Sequence, residues 1–165
     1  MTEPVDSTGT GAMGPVAMEF RRVARMNKHQ LWSVCVAWCR DRTAAAAVLS
    51  RGLTDAWTSV RDSAPVPGAG PDLSAQLTRT VYRCVLGAAS DSLAADRIRH
   101  RSQRGNTGPG AGSTLSATEL SLYIMANYSA LPRPVVCDLL SLPGDGAEPL
   151  KKVSQVLLRN TDGAR

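Results

Sequence analysis

The segment Asp41 to Val60, D-R-T-A-A-A-A-V-L-S-R-G-L-T-D-A-W-T-S-V, restricts the fold more than any other part of the chain. Its small and apolar residues, Ala45, Val48, Leu49, Gly52, Leu53, Ala56, Trp57 and Val60, recur at steps of one, three and four. This is the period of one face of an α-helix, which closes a turn every ~3.6 residues, and not the alternation of a strand. A helix carrying so long a stripe has to bury it, and its natural partners are other helices. An all-α protein with Trp57 in the bundle core is the resulting expectation.

Other segments repeat the pattern. Phe20, Val23, Ala24, Leu31, Val34, Cys35, Trp38 and Cys39 are spaced for one helical face from Met18 onward, with a break near Asn27. Three Pro and two Gly in Arg61 to Asp72 end the central helix and make a loop, after which Asp72 or Ser74 can cap a second long helix. That helix carries Leu77, Val81, Cys84, Val85, Ala88, Leu93 and Ile98 at helical intervals. Residues 1–17, with no periodicity and several Gly, Pro and Thr, are expected to be disordered. Residues 102–114 hold four Gly and one Pro and read as a flexible linker, dividing a helical domain at 18–101 from a short helical region at 115–165. In the latter, Ser116 followed by Glu119 has the form of a capping box.

Three Trp, three Tyr and one Phe are few aromatics for a chain that is 43% hydrophobic, so alanine supplies much of the apolar surface and the stability margin should be thin. Net charge is +5, and of 19 basic residues only Lys28, Lys151 and Lys152 are lysines. Arginine forks match phosphate and carboxylate, which points to a polyanion or an acidic protein surface; solvated helix faces are the alternative. Cys35, Cys39, Cys84 and Cys137 occupy apolar helical positions, and neither a signal peptide nor an apolar run of ~18 residues is present, so the cytoplasm is the expected compartment. His29 with Cys35 and Cys39 invites a zinc reading. On an ideal helix, however, His29 lies about 240° around from Cys35, and the cysteines read as structural, with no metal or other cofactor implied. No nucleophile–base pair, phosphate-cradling glycine loop or paired carboxylates stand out, so an enzyme is not expected.

The order D-R-(x)5-V-L-S-(x)5-A-W resembles region 2 of bacterial sigma factors of the extracytoplasmic-function type, roughly D-R-x-x-A-E-D-L-V-Q-x-x-F-x-x-A-W. Asp41, Arg42, Ala45, Val48, Leu49, Leu53, Ala56 and Trp57 take the corresponding places, whereas Ala46, Ala47 and Ser50 stand where the family has Glu, Asp and Gln. A second stretch, from Val81 through Tyr82, Arg83, Val85, Ala89, Asp91 and Leu93, resembles the family's promoter-melting helix and its basic tail. There Leu86 and Gly87 replace an Arg-Asn pair. Ala130, Leu131 and Pro132 resemble the start of region 4, but no helix-turn-helix follows in the residues that remain.

The resemblance implies a region-2-like bundle with a truncated region-4 remnant. Its partners would be the β′ subunit of core RNA polymerase, met by Val48, Leu49, Ser50 and Leu53, and promoter DNA, met by Arg83, Arg97, Arg99, Arg101 and Arg104. An anti-sigma factor is a further implied partner. Six arginines against Asp91 and Asp96 between Arg79 and Arg104 favour weak, non-specific DNA contact, because the helix offers only Tyr82 as a stacking platform. The alternative is a regulator that kept the fold and lost promoter recognition, acting as a decoy or as a plain helical interaction module.

Overall fold

The computed structural model of the protein describes residues 13–39, 41–63, 72–103, 116–144 and 146–162. Among these residues the chain forms seven helices and no strand: α1 (Met13–Met26), α2 (Lys28–Cys39), α3 (Arg42–Asp62), α4 (Leu73–Gln103), α5 (Ala117–Tyr128), α6 (Arg133–Leu139) and α7 (Ala147–Asp162). The all-α expectation holds. Of the segment expected to be disordered, residues 1–12 lie outside the described residues, while 13–17 are the opening of α1. Pro15 falls in that first turn, where a missing N–H forfeits no helical acceptor.

Asp41 starts α3. Its extended backbone turns the chain, and its Oδ2 accepts the Ala44 N–H at 2.7 Å, satisfying one of the amides that a helix N-terminus leaves without a partner. Four successive alanines, the best helix formers, then carry the first turns. The sequence stripe divides into two lines. Ala45, Val48, Gly52 and Ala56 are buried, whereas Leu49, Leu53, Trp57 and Val60 are half-buried along the flank. Trp57 is thus not in the centre of the core; it packs at the margin with its ring 5.3 Å from that of Phe20.

The buried line lies on α4, the most extensive helix pair in the protein. Gly52 sets the distance of approach. A Cβ built at that position would come within 2.6 Å of Val85 Cα and 3.0 Å of Val85 N, so the backbone of α4 occupies the space that a side chain would need. Helix directions follow from cross-links. Arg22 reaches Ser74 Oγ at 3.3 Å and the Trp38 indole donates to the Ala89 carbonyl at 2.9 Å, so α1 and α2 run alongside α4 in the same sense. The Phe20–Trp57 ring pair at one end and Arg51–Asp91 at 2.9 Å at the other show that α3 runs back against them.

The bend between α1 and α2 is at Asn27, where the break was expected. Asn27 Nδ2 donates to Val23 O at 2.9 Å, and the buried Tyr82 hydroxyl lies 3.5 Å from Asn27 Oδ1. Burial pushes the Tyr82 phenol up to about 12, so the hydroxyl stays protonated.

The C-terminal helices do not form a second body. Leu122, Ile124 and Met125 of α5 and Val136, Cys137 and Leu139 of α6 belong to the same core as the residues of α1–α4, with α5 packed on α2 and α6 on α4. The stretches 18–101 and 115–165, read apart in the sequence, thus both contribute to this core. Most of the linker itself, 104–115, lies outside the described residues, and 102–103 are the end of α4. The physical cause is α2. From Leu31 to Cys39 its only polar residue is Ser33, so it is apolar on both sides and takes α3 and α4 on one face and α5 on the other.

The capping box read from the sequence is present: Glu119 N donates to Ser116 Oγ at 3.1 Å, and Ser116 N donates to Glu119 Oε2 at 2.8 Å. Lys152 of α7 reaches the other carboxylate oxygen at 2.6 Å. At the end of α6, Ser141 N donates to Asp138 O and Leu142 N to Cys137 O, with Ser141 at φ 53°. These two bonds form a Schellman motif with serine at the left-handed position where glycine is usual.

Two glycines in facing helices should respond oppositely to the same change. Gly52→Ala is expected to destabilise by ~1–3 kcal/mol, the overpacking outweighing the gain in helix propensity. Gly87, exposed in α4 with nothing within 4 Å of a built Cβ, costs ~1 kcal/mol relative to alanine, and Gly87→Ala should recover most of it. Urea unfolding followed by circular dichroism measures both, and a neutral Gly52→Ala would mean that α3 and α4 are farther apart.

A pH response also follows. The Lys152 ammonium, then the Ser116 amide and hydroxyl, hold the Glu119 carboxyl at about 2 against an ordinary 4.5. Because the folded value is the lower one, this contribution is present above pH 4.5 and is lost as pH falls through 2. Melting temperature should therefore fall less steeply across that interval in Glu119→Gln than in the parent; equal slopes would remove Glu119 as a source of acid sensitivity.

Candidate functional site

Two surfaces carry the residues singled out for binding. On α3, the buried line against α4 leaves Ala46, Ala47, Ser50, Arg51, Thr54 and Asp55 exposed. Of the residues expected to meet polymerase, Ser50 is on this outer face, Leu49 and Leu53 are half-buried on its flank, and Val48 is 5% exposed, its side chain part of the core. The open face is short-chained and mostly uncharged. Its charged residues are Arg51 and Asp55, and Arg51 is turned toward Asp91 at 2.9 Å and Asp55 at 3.6 Å.

On α4, Arg83 is exposed, and no carboxylate among the described residues pairs with it. Arg79 precedes it by one turn, also exposed. Arg97, Arg99 and Arg101 fall on the last turns of α4, but their side chains, like the whole of Arg104, lie outside the described residues. A third basic surface is on α1, where Arg21 and Arg25 are exposed one turn apart and Lys28 follows at the start of α2. Arg22 is committed elsewhere: it binds Glu19 at 2.6 Å, which raises the guanidinium and lowers the carboxyl from their ordinary values.

Acidic side chains beside these surfaces are largely engaged. Glu19, Asp55, Asp91 and Glu119 each face an Arg or Lys within 3.6 Å. Among the described residues Arg21, Arg25, Arg79 and Arg83 are left without such partners, a distribution suited to holding a polyanion.

Among the described residues, two concavities border the residues named above. One, of about 250 Å³, lies between α4, α5 and α6 and is lined by Arg83, Gly87 and Ser90 on one side and Thr118, Leu139 and Ser141 on the other, among further residues. The second, of about 240 Å³, is bordered by Ala17, Phe20, Arg21 and Trp57. Thr118 and Ser141 could not be assigned to a site from the sequence. Nothing in a linear pattern places α6 beside Arg83; the mid-helix Gly87 was the only signal available.

His29 is exposed at the start of α2, Cys35 is buried, and among the described residues no group of three His, Cys, Asp or Glu could hold a metal ion. Burial, and secondarily the neighbouring Cys39, pushes the Cys35 thiol up to about 12. Such a thiol is neither a ready ligand nor a nucleophile. No protein-family model, curated protein or solved structure matches the chain.

In the native protein Cys35 and Cys137 should resist alkylation at neutral pH and become modified once the chain is unfolded, as read by mass spectrometry of the peptides. Labelling of Cys35 at the rate of the half-buried Cys84 would mean that the α2–α4 contact opens readily.

Proposed function

We propose that this chain is a sigma-like protein of transcription, engaging core RNA polymerase through the outer face of α3 and DNA through the arginines of α4. One observation supports the reading above the rest. The two segments that resemble region 2 are α3 and α4, packed directly on each other. The shared residues have definite places in that pair: Asp41 caps α3, Ala45, Val48 and Ala56 are buried, and Asp91 binds Arg51 across it. The arrangement leaves Ser50 and Arg83 at the surface, where contacts with partners would be made.

A specific observation favours a second reading, in which the protein is a regulator or interaction module without promoter recognition. The exposed positions 46, 47 and 50 carry alanine, alanine and serine, which offer little charge or hydrogen bonding to a partner. Such a surface would bind polymerase weakly, or would meet an anti-sigma factor or another helical protein instead.

Two measurements separate these readings. If the outer face of α3 meets polymerase, the combined change Ala46→Glu, Ala47→Asp and Ser50→Gln should tighten capture of core polymerase about tenfold or more, since charge-assisted hydrogen bonds contribute ~1.5–3 kcal/mol each. Unchanged capture removes α3 from the interface. For DNA, Arg97→Ala with Arg99→Ala should weaken binding to any sequence and flatten its dependence on log salt by about one to two units. A sequence-selective loss would mean base contacts, and no loss would make the tail a solubilising surface.

A further inference from the structure

Nothing in the packing of α4 against the described residues calls for glycine at position 87. Unlike Gly52 it has no backbone pressed against it, its φ is not left-handed, and a Cβ would meet nothing within 4 Å. It does border the concavity of about 250 Å³ between α4, α5 and α6. Arg83, one turn earlier, and Ser90, one turn later, share its face of the helix and line the same space. Thr118, Leu139 and Ser141 line the opposite side, and among the described residues no carboxylate lines the cavity. Ser141 lies at the left-handed position of the α6 C-terminus, where a glycine would be relaxed but would bring no hydroxyl.

We propose that this cavity binds the phosphate of an organic ester. The guanidinium of Arg83 and the hydroxyls of Ser90, Thr118 and Ser141 are a donor set suited to a tetrahedral anion with several oxygens, and the fork of arginine matches phosphate bidentately. Gly87 gives the ligand room to lie against α4, where any side chain would reach into the space. The leucine wall accommodates the carbon skeleton of the ester. A small phosphomonoester and a phosphodiester of a nucleic-acid backbone share this chemistry; the diester case rests on the DNA reading given above and the monoester case does not.

The test titrates the full chain with phenyl phosphate and, separately, with a short oligothymidylate, following isotope-labelled amide resonances of residues 87 and 90 by NMR. Saturable shifts of these amides with phenyl phosphate are expected, weakened about tenfold or more in Arg83→Gln and abolished in Gly87→Leu. Gly87→Ala should raise the melting temperature and weaken binding at once, a combination that a purely structural glycine would not give. Shifts with phenyl phosphate but not with oligothymidylate uphold the cavity as a monoester site and detach it from DNA. Saturable shifts with oligothymidylate that Arg83→Gln weakens uphold the diester form, independently of the tail arginines. The proposal is overturned if neither probe gives saturable shifts at these amides, or if Gly87→Leu binds as tightly as the parent.

Discussion

The contact of α3 with the backbone of α4 at Gly52 and Val85 is the constraint on which the remaining architecture depends. A built Cβ would stand 2.6 Å from Val85 Cα, so the two helices are as close as their main chains permit. Only at that separation can small residues such as Ala45 and Ala56 fill the interface, and only then does a core poor in aromatics reach native packing density. The same closeness brings α2 onto α4, where the Trp38 indole finds the Ala89 carbonyl. A buried indole N–H without that acceptor would carry a desolvation cost of about 1–3 kcal/mol.

The residues that resemble region 2 of sigma factors have mainly architectural duties in this fold. Asp41 caps, Ala45, Val48 and Ala56 pack, Tyr82 sits in the core beside the α1–α2 bend, and Asp91 ties α4 to α3 through Arg51. Of the positions where the chain departs from that pattern, Ala46, Ala47, Ser50 and Gly87 are exposed, whereas Leu86 is buried in the core. For the exposed four the reason is a physical one. A buried residue is held to its size and polarity by every neighbour it touches, whereas an exposed one can change without cost to folding. The surface contacts of such a scaffold can therefore be exchanged while its interior persists, and those contacts decide what the protein binds.

The docking of α5, α6 and α7 has its own consequence for binding. Helix α5, packed on α2, and α6, packed on α4, set Thr118 and Ser141 opposite Arg83 and close a concavity between them and α4, while α7 backs α5. The Lys152–Glu119 contact and the capping box hold the start of α5, including Thr118, in that position. Polar chemistry at the surface is in this way fixed by apolar packing beneath it.

Much of this was legible in residue order. The three–four spacing of the stripe in 41–60 is a local property of the helix, so α3, the joint at Asn27 and the Ser116–Glu119 capping box could all be read without a partner. Which part of each stripe goes deepest could not, since burial depends on what the opposite helix presents: Val85 leaves room for Gly52 but no side chain there, and Trp57 was displaced to the margin beside Phe20. The start of α1 was missed because Gly14 and Pro15 read as breakers, although proline is tolerated in a first turn. That residues of 18–101 and 115–165 share one core could not be read from the glycines of 102–114; it rests on the apolar surface of α2, on which α5 also packs. Composition reports how freely a connection can bend; whether the flanking helices meet is decided by the apolar area they bury together, and that exists only in the tertiary structure.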